Sequence, residues 1–298
     1  MRSFFMCGIL ITCTALPAFA DDARNARSYF KSNLANSIEN AAEQVIKSRV
    51  PNVEVEISGF KDGKPQYGII AVQPLSDNRQ AGRATFLQLS AFAQNDRETL
   101  NFGIGQRFLH NDGKVITGLN VFFDHELDYE HQRWSIGGEI LSSVGDIRVN
   151  FYEAISDEEV GKNNALEQAL GGYDAELAVP LPYMPTTRIH AKTFSWEGEN
   201  GADDFDGETF SLRSEMPYGF TLEAGHTAYS KNNVDDKDFI TLTWNFAMTN
   251  RAMRQSFMSK RAYMLADISD RRFEKVRREN RIIKQVSSGE LTITVSGF

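Results

Sequence analysis

Cysteine is nearly missing: the 298 residues hold two, Cys7 and Cys13. Both fall in the first 20 residues, which read as an export signal, so the exported chain would carry none. That excludes disulfides, cysteine nucleophiles and thiolate metal sites. Long apolar runs are missing too. No window beyond the signal reaches the ~18 consecutive apolar residues of a membrane-crossing helix. An excess of basic charge is also absent. The net charge is −8, opposite in sign to the footprint of a nucleic-acid binder, and no nucleic-acid partner is expected. Histidine is scarce, with five in the whole chain.

The export signal is read from residue order. Arg2 is the one charge before an apolar run from Phe4 to Leu16. Pro17-Ala18-Phe19-Ala20 then offers small side chains to a signal peptidase, and Asp21-Asp22 begins a polar stretch. Cleavage after Ala20 gives a signal peptide of 1–20. An N-terminal anchor would need ~20 apolar residues, more than this run supplies. A lipoprotein cut at Cys13 would leave an apolar stub. Beyond the signal, Leu34, Ile38, Ala41, Ala42, Val45 and Ile46 recur at three- and four-residue spacing until Pro51. This predicts a periplasmic amphipathic helix within 21–50.

From Asn52 onward the period changes to two. Leu100, Phe102 and Ile104 alternate with Asn101, Gly103 and Gly105, and Trp134, Ile136 and Ile140 with Ser135, Gly137 and Glu139. Each such strand has one oily face and one face of glycine and polar residues. Twelve strands are predicted: 53–60, 66–72, 84–93, 99–108, 115–123, 133–141, 146–155, 173–179, 187–196, 209–214, 220–230 and 238–246. Long connections follow the odd strands, including an acidic loop with Asp124, Glu126, Asp128 and Glu130. Short ones follow the even strands, such as Asn111-Asp112-Gly113. Outer-membrane barrels have this parity, with short periplasmic turns and longer external loops. The fold class expected is all-β: a twelve-stranded antiparallel transmembrane β-barrel over 51–247. The alternative is a periplasmic all-β protein, in which loop parity has no cause. Tyr173, Phe194, Trp196, Phe210, Phe220 and Tyr229 fall near strand ends, where an interfacial girdle would lie. The last strand alternates Ile240, Leu242, Trp244 and Phe246, like the signal read by the barrel assembly machinery, an expected partner together with periplasmic chaperones and outer-membrane lipid.

After the barrel the composition turns basic. Arg251, Arg254, Lys260, Arg261, Arg271, Arg272, Lys275, Arg277, Arg278, Arg281 and Lys284 are followed by a short apolar run at 291–295. A solvated tail is the plain reading. The sharper one sets these cations against lumen acids Glu139, Asp174, Glu176 and Glu223, giving a basic linker threading the pore over 248–298 with a short passenger stub.

Catalytic, cofactor and metal sites were sought, and none is expected. A barrel phospholipase needs His and Ser in register on one strand face. His190 precedes Ala191-Lys192 and His226 precedes Thr227-Ala228, so neither offers the pair. His125 and His131 among acids read as a solvated loop. Asp203-Asp204-Phe205-Asp206-Gly207 lacks calcium-loop spacing. Gly103-Ile104-Gly105 lies mid-strand with no following helix, unlike a phosphate loop.

Three runs carry a resemblance. They are Gly103-Ile104-Gly105-Gln106-Arg107-Phe108, Gly118-Leu119-Asn120-Val121-Phe122-Phe123-Asp124 and Ser135-Ile136-Gly137-Gly138-Glu139. In this order and spacing they resemble the translocation barrel of the inverse autotransporters, the intimin and invasin family. Val72-Gln73-Pro74-Leu75 and the segment from Phe273 to Ile283 are similar to it more weakly. The resemblance implies a twelve-stranded barrel of the Gram-negative outer membrane. Its chain returns through the pore to present a C-terminal adhesive segment to a host-cell or matrix receptor, with no catalytic residues. The sequence shows no LysM module before the barrel and about 50 residues after it, so the stub outside would be small. The competing readings are a plugged or structural pore without adhesin activity, and an outer-membrane enzyme using His190 or His226.

Overall fold

The computed structural model describes residues 52–59, 65–78, 81–94, 97–161, 164–230, 234–246 and 257–286. The expected signal peptide, the helix within 21–50 and the apolar run at 291–295 lie outside the described residues. The strands are β1 (Asn52–Ser58), β2 (Gln66–Asn78), β3 (Arg83–Gln94), β4 (Arg97–His110), β5 (Val115–Glu126), β6 (Gln132–Ser142), β7 (Asp146–Ala154), β8 (Glu159–Val160), β9 (Leu166–Ala169), β10 (Gly172–Leu181), β11 (Met184–Trp196), β12 (Phe205–Glu215), β13 (Phe220–Tyr229), β14 (Lys237–Asn245) and β15 (Lys284–Val286). Twelve of them, all but β8, β9 and β15, form a closed antiparallel barrel. Each barrel strand pairs with its neighbour, and β1 closes on β14 with Val55 opposite Trp244. Closure removes every free strand edge, which a lipid-facing sheet requires because no water is there to satisfy unpaired backbone groups.

Sequence alternation becomes an inside and an outside. On β4, Leu100, Phe102 and Ile104 are 39–54% exposed, whereas Asn101 and Arg107 are buried. On β5, Leu119, Val121 and Phe123 face out, and Asn120, Phe122 and Asp124 face in. The outward side chains form an apolar belt round the wall. Soluble proteins rarely expose so large a surface; lipid covers it here.

One end of the barrel carries short turns. Asn111, Asp112 and Gly113 have φ of 51°, 54° and 76°, the left-handed region that Asn, Asp and Gly tolerate best. The other end carries the loops. There β15, β9 and β8 form a separate three-stranded sheet.

Several expectations are corrected. Strand β2 runs past Val72, because a register shift between Pro74 and Ser76 absorbs the proline and lets pairing continue to Asn78. The β3–β4 hairpin is tight, with Gln94 paired to Arg97, so loop parity fails at that one connection. Asp124 and Glu126 belong to β5, not to a loop. Of the alternating acids in this run, Asp124 and Glu126 share the inner face of β5, and Asp128 and Glu130 lie in the connection that follows. Phe194 and Trp196 point inward and are buried, so they are not girdle residues. The connection from 155 to 171 contains β8 and β9.

Candidate functional site

The inner wall is built around glycine. Gly103 pairs with Phe122, and a Cβ there would meet the ring at 2.2 Å. Gly105 pairs with Phe86, whose ring lies equally close. The missing side chains let both rings lie flat on the neighbouring strand and present their faces inward. Arg278 sits 4.5 Å from the Phe122 centroid, and Arg107 4.7 Å from that of Phe86. Both are cation–π contacts, strengthened where water is excluded.

Fully buried Asp124 receives two guanidinium groups. Arg133 of the wall donates to its Oδ2 at 2.8 Å. Arg278 donates to Oδ2 at 2.6 Å and Oδ1 at 2.9 Å, and Asn101 Nδ2 also reaches Oδ1. Four further tail cations are paired with acids of the wall. Arg277 spans Glu176 at 2.9 Å and Glu223 at 3.2 Å. Lys275 meets Glu56 at 2.8 Å and Glu54 at 3.1 Å. Arg271 meets Asp146 at 2.8 Å, and Arg272 meets Asp77 at 2.9 Å. An isolated buried charge is costly, whereas a paired and hydrogen-bonded one is tolerated.

The wall also binds the tail's backbone. Arg107 Nη1 donates to the carbonyls of Arg271, Arg272 and Glu274, the last at 2.7 Å. Arg133 donates to the Glu279 carbonyl, Asn101 to that of Asn280, Asn150 to that of Arg277 and Asn52 to that of Phe273. In the other direction, Val276 N–H donates to Gln88 Oε1 and Glu279 N–H to the Tyr152 hydroxyl.

Of the acids expected on the inner face, all four are buried, but only Glu176 and Glu223 ion-pair directly with a tail cation. Glu139 holds Arg107 at 2.7 Å and so reaches the tail through it. Asp174 accepts from Asn150 and Tyr152. The acids that sequence reasoning missed are Glu54, Glu56, Asp77, Asp124, Glu126 and Asp146. Strand alternation carried the signal for the first two and for Asp124 and Glu126. Asp77 and Asp146 lie at strand ends, where alternation says least.

At the loop end, Lys284, Gln285 and Val286 pair with Ala169, Gln168 and Glu167. Ile283 packs into a cluster with Tyr152, Leu170, Phe194, Trp196 and Phe205. Beside it, Arg97 joins Glu126 and Glu167 at 2.6 Å each, and Lys284 also contacts Glu126. His131 lies within this group, its Nε2 3.5 Å from Glu167. Ligand atoms of Glu126, His131 and Glu167 lie within 4.8 Å of one another, a spacing a metal ion could use. Both carboxylates are already neutralised by Arg97 and Lys284, however, so a divalent ion would have to displace cations. Burial alone would raise the Glu167 carboxyl, but the hydrogen bonds of His131 and Arg97, with the Arg97 and Lys284 charges, hold it at about 2.

The remaining histidines are scattered. His125 and His131 do not share the solvated loop expected of them: His125 is on the outer face of β5, and His131 is fully buried. His190 points inward, 3.3 Å from Glu176. His226 is half exposed on the outer face and bonds Asp238 at 2.8 Å. The wall therefore separates His190 from His226. Asp204 accepts from the Gly198 N–H within its loop.

Comparison with known proteins agrees with this geometry. The inverse autotransporter adhesin YeeJ of Escherichia coli is 23% identical over 69% of this chain and 9% of its own length. Intimin of Escherichia coli O127:H6 is 30% identical over 39% of the chain and 12% of its own length. The uncharacterized Escherichia coli protein YchO is 28% identical over 37% of the chain and 23% of its own length. The chain thus spans a quarter or less of these relatives. A structure solved in a study of in-meso crystallisation of membrane proteins superposes with a TM-score of 0.66 at 20% identity, over 79% of this chain and 99% of that one, and shares the fold. The family model of the inverse autotransporter β-domain matches residues 14–280, and the chain belongs to that family of barrels in the Gram-negative outer membrane.

Proposed function

We propose that this barrel anchors its own C-terminal segment in the outer membrane and carries it to the cell surface, with adhesion as the outside activity. The short turns face the periplasm, and the tail threads the lumen outward. The observation that supports this is the order of contacts. Tyr183 and Ala262 meet at a short turn, as do Gly113 and Ile268. Arg277 and Arg278 then bind acids of the strands, and Lys284–Val286 joins β9 at the loop end. Position along the tail thus maps onto depth along the barrel.

Lipid, the barrel assembly machinery and periplasmic chaperones are the partners this reading requires. The relatives named as adhesins motivate a host-cell or matrix receptor. The basic segment 248–298 is the linker and stub, 51–247 the barrel, 21–50 a periplasmic helix and 1–20 the cleaved signal. No step in this reading calls for a catalytic residue, metal or cofactor.

A single cysteine tests it. Ser288→Cys should label with a membrane-impermeant thiol reagent on intact cells, and Ser269→Cys should be protected. Labelling of Ser288→Cys only after the outer membrane is permeabilised overturns the reading. The second reading, a plugged pore, is favoured by the density of ion pairs around the tail. It predicts conductance that rises when 250–298 is removed, without any loss of cell or matrix binding.

A further inference from the structure

We infer that three apolar residues, Ile268, Val276 and Ile283, fix the register of the tail in the lumen, while its charges supply only the hold. The inference rests on the threading proposed above.

Each of the three is buried in a separate apolar patch of the wall. Ile268 packs with Ile116 and Leu141, near the short-turn end. Val276 packs with Val72, Phe86 and Phe122, with Phe273 beside it. Ile283 packs with Tyr152, Leu170, Phe194, Trp196 and Phe205 at the loop end. Outside these patches the inner face is mostly polar, with further buried apolar side chains at Ile70, Phe92 and Phe239 that pack in none of the three.

Neither other class of contact can choose a register. The wall's bonds to tail carbonyls recognise a group that every residue carries. Four of the paired cations come in adjacent duplicates, Arg271-Arg272 and Arg277-Arg278, and Lys275 and Lys284 stand singly on flexible stems. Long guanidinium chains can also follow an acid by changing rotamer. An apolar patch has less tolerance: it offers a displaced charge no acid, and the outer faces of its rings are already taken by Arg107, Arg133 and Arg278.

The flanking residues make the readout discriminating. A slip of one residue brings Asp267, Lys275 and Ile282, or Ser269, Arg277 and Lys284, to the three patches. A slip of two brings Ala266, Glu274 and Arg281, or Asp270, Arg278 and Gln285. In every case at least two patches receive a polar or charged side chain. The external patch alone would accept Ile282, so one of its two slips goes unread there. Val276 stands between two cations and reads both directions.

The test is cross-linking in the full-length protein in outer membranes, with folding checked by heat-modifiable gel mobility. A wall cysteine, Asn101→Cys, is combined in turn with Glu279→Cys, Asn280→Cys and Arg281→Cys, and a short bifunctional thiol reagent is added. Asn101 bonds the Asn280 carbonyl, so the yield should peak at 280. With Ile268→Ser, Val276→Ser and Ile283→Ser together, the yield should spread over all three positions. A sharp maximum retained at 280 overturns the inference and leaves threading intact. No cross-link at any tail position in the otherwise native chain overturns threading, and this inference with it. If the triple variant does not assemble, the single variants decide. Val276→Ser should broaden the profile more than Ile283→Ser, and an equal or reversed order overturns the inference.

Discussion

The two sides of the lumen are made differently. The wall from β3 to β7 carries long, branched polar groups: Asn101, Arg107, Asp124, Arg133, Arg148 and Asn150, all buried. The wall from β11 to β14 is richer in short hydroxyls, Thr187, Thr209, Ser211, Thr221, Thr227, Thr241 and Thr243, set among a few larger groups such as His190, Lys192 and Glu223. The first reaches across to backbone and side chains of the tail. The second is satisfied in part within itself, as where the Thr209 and Thr227 hydroxyls bond at 2.9 Å, and its ion pair to the tail runs through Glu223. A cavity lies on that side, bordered by Thr186, Arg188, His190, Arg213, Thr221 and Thr243. Under the proposed threading, a lumen that holds a chain and also lets it pass can divide the two tasks between opposite walls, the long side chains of one gripping and the cavity beside the hydroxyls of the other leaving clearance.

The contrast can be broken most severely at Asp124. Asp124→Ala leaves Arg133 and Arg278 buried without their shared carboxylate, a loss of about 3–5 kcal/mol expected for one partner removed from a buried pair. Denaturant unfolding in detergent measures it. Gly103→Val comes next. The added side chain displaces the Phe122 ring and the Arg278 guanidinium above it, at a cost of about 1–3 kcal/mol, typical of overpacking. The same unfolding experiment applies, and Gly138→Val, whose Cβ meets its nearest neighbour only at 3.9 Å, is the control.

On the hydroxyl wall the effects should be small. The Thr241 hydroxyl is buried and makes no hydrogen bond. Thr241→Val should therefore be neutral or stabilising by up to ~1 kcal/mol, since an unsatisfied buried polar group is removed. A large loss there would erase the contrast between the walls.

The smallest effect concerns pH at the loop end. Glu167 is held at about 2, below its ordinary 4.5, so its contribution is complete above 4.5 and is lost as pH falls toward 2. Pepsin cutting within 155–171 should rise over that window in the native chain. In Glu167→Gln it should be high throughout. Equal profiles would show that Glu167 does not secure the loop.

Much of this was legible in the residues, for definite reasons. Period-two patterning depends on which face meets lipid, so β4, β5 and β6 could be read one residue at a time. The Gly-Ile-Gly run could be placed mid-strand but not explained, because its reason is a ring on another strand: Phe122 for Gly103 and Phe86 for Gly105. Sequence places Asp124 in a loop because an acidic run resembles solvent-exposed chain; its partner Arg278 lies 154 residues away, beyond any local pattern. Phe194 and Trp196 resemble girdle residues in sequence because position near a strand end says nothing about which side of the wall is wet. The β15–β9 pairing was invisible, since three residues give too little alternation to register.

On the proposed reading, in which the barrel anchors a segment outside the cell, that last pairing has a mechanical consequence. Strand β15 runs antiparallel to β9, and β9 is tied to the barrel at Ala169, the residue opposite Lys284. A pull on the chain beyond Val286 therefore acts at one end of the pair and is resisted at the other. The backbone bonds are loaded in shear together, rather than peeled apart one at a time. A peptide segment of three residues becomes a brake that tension engages as a unit, before the load reaches the ion pairs deeper in the wall.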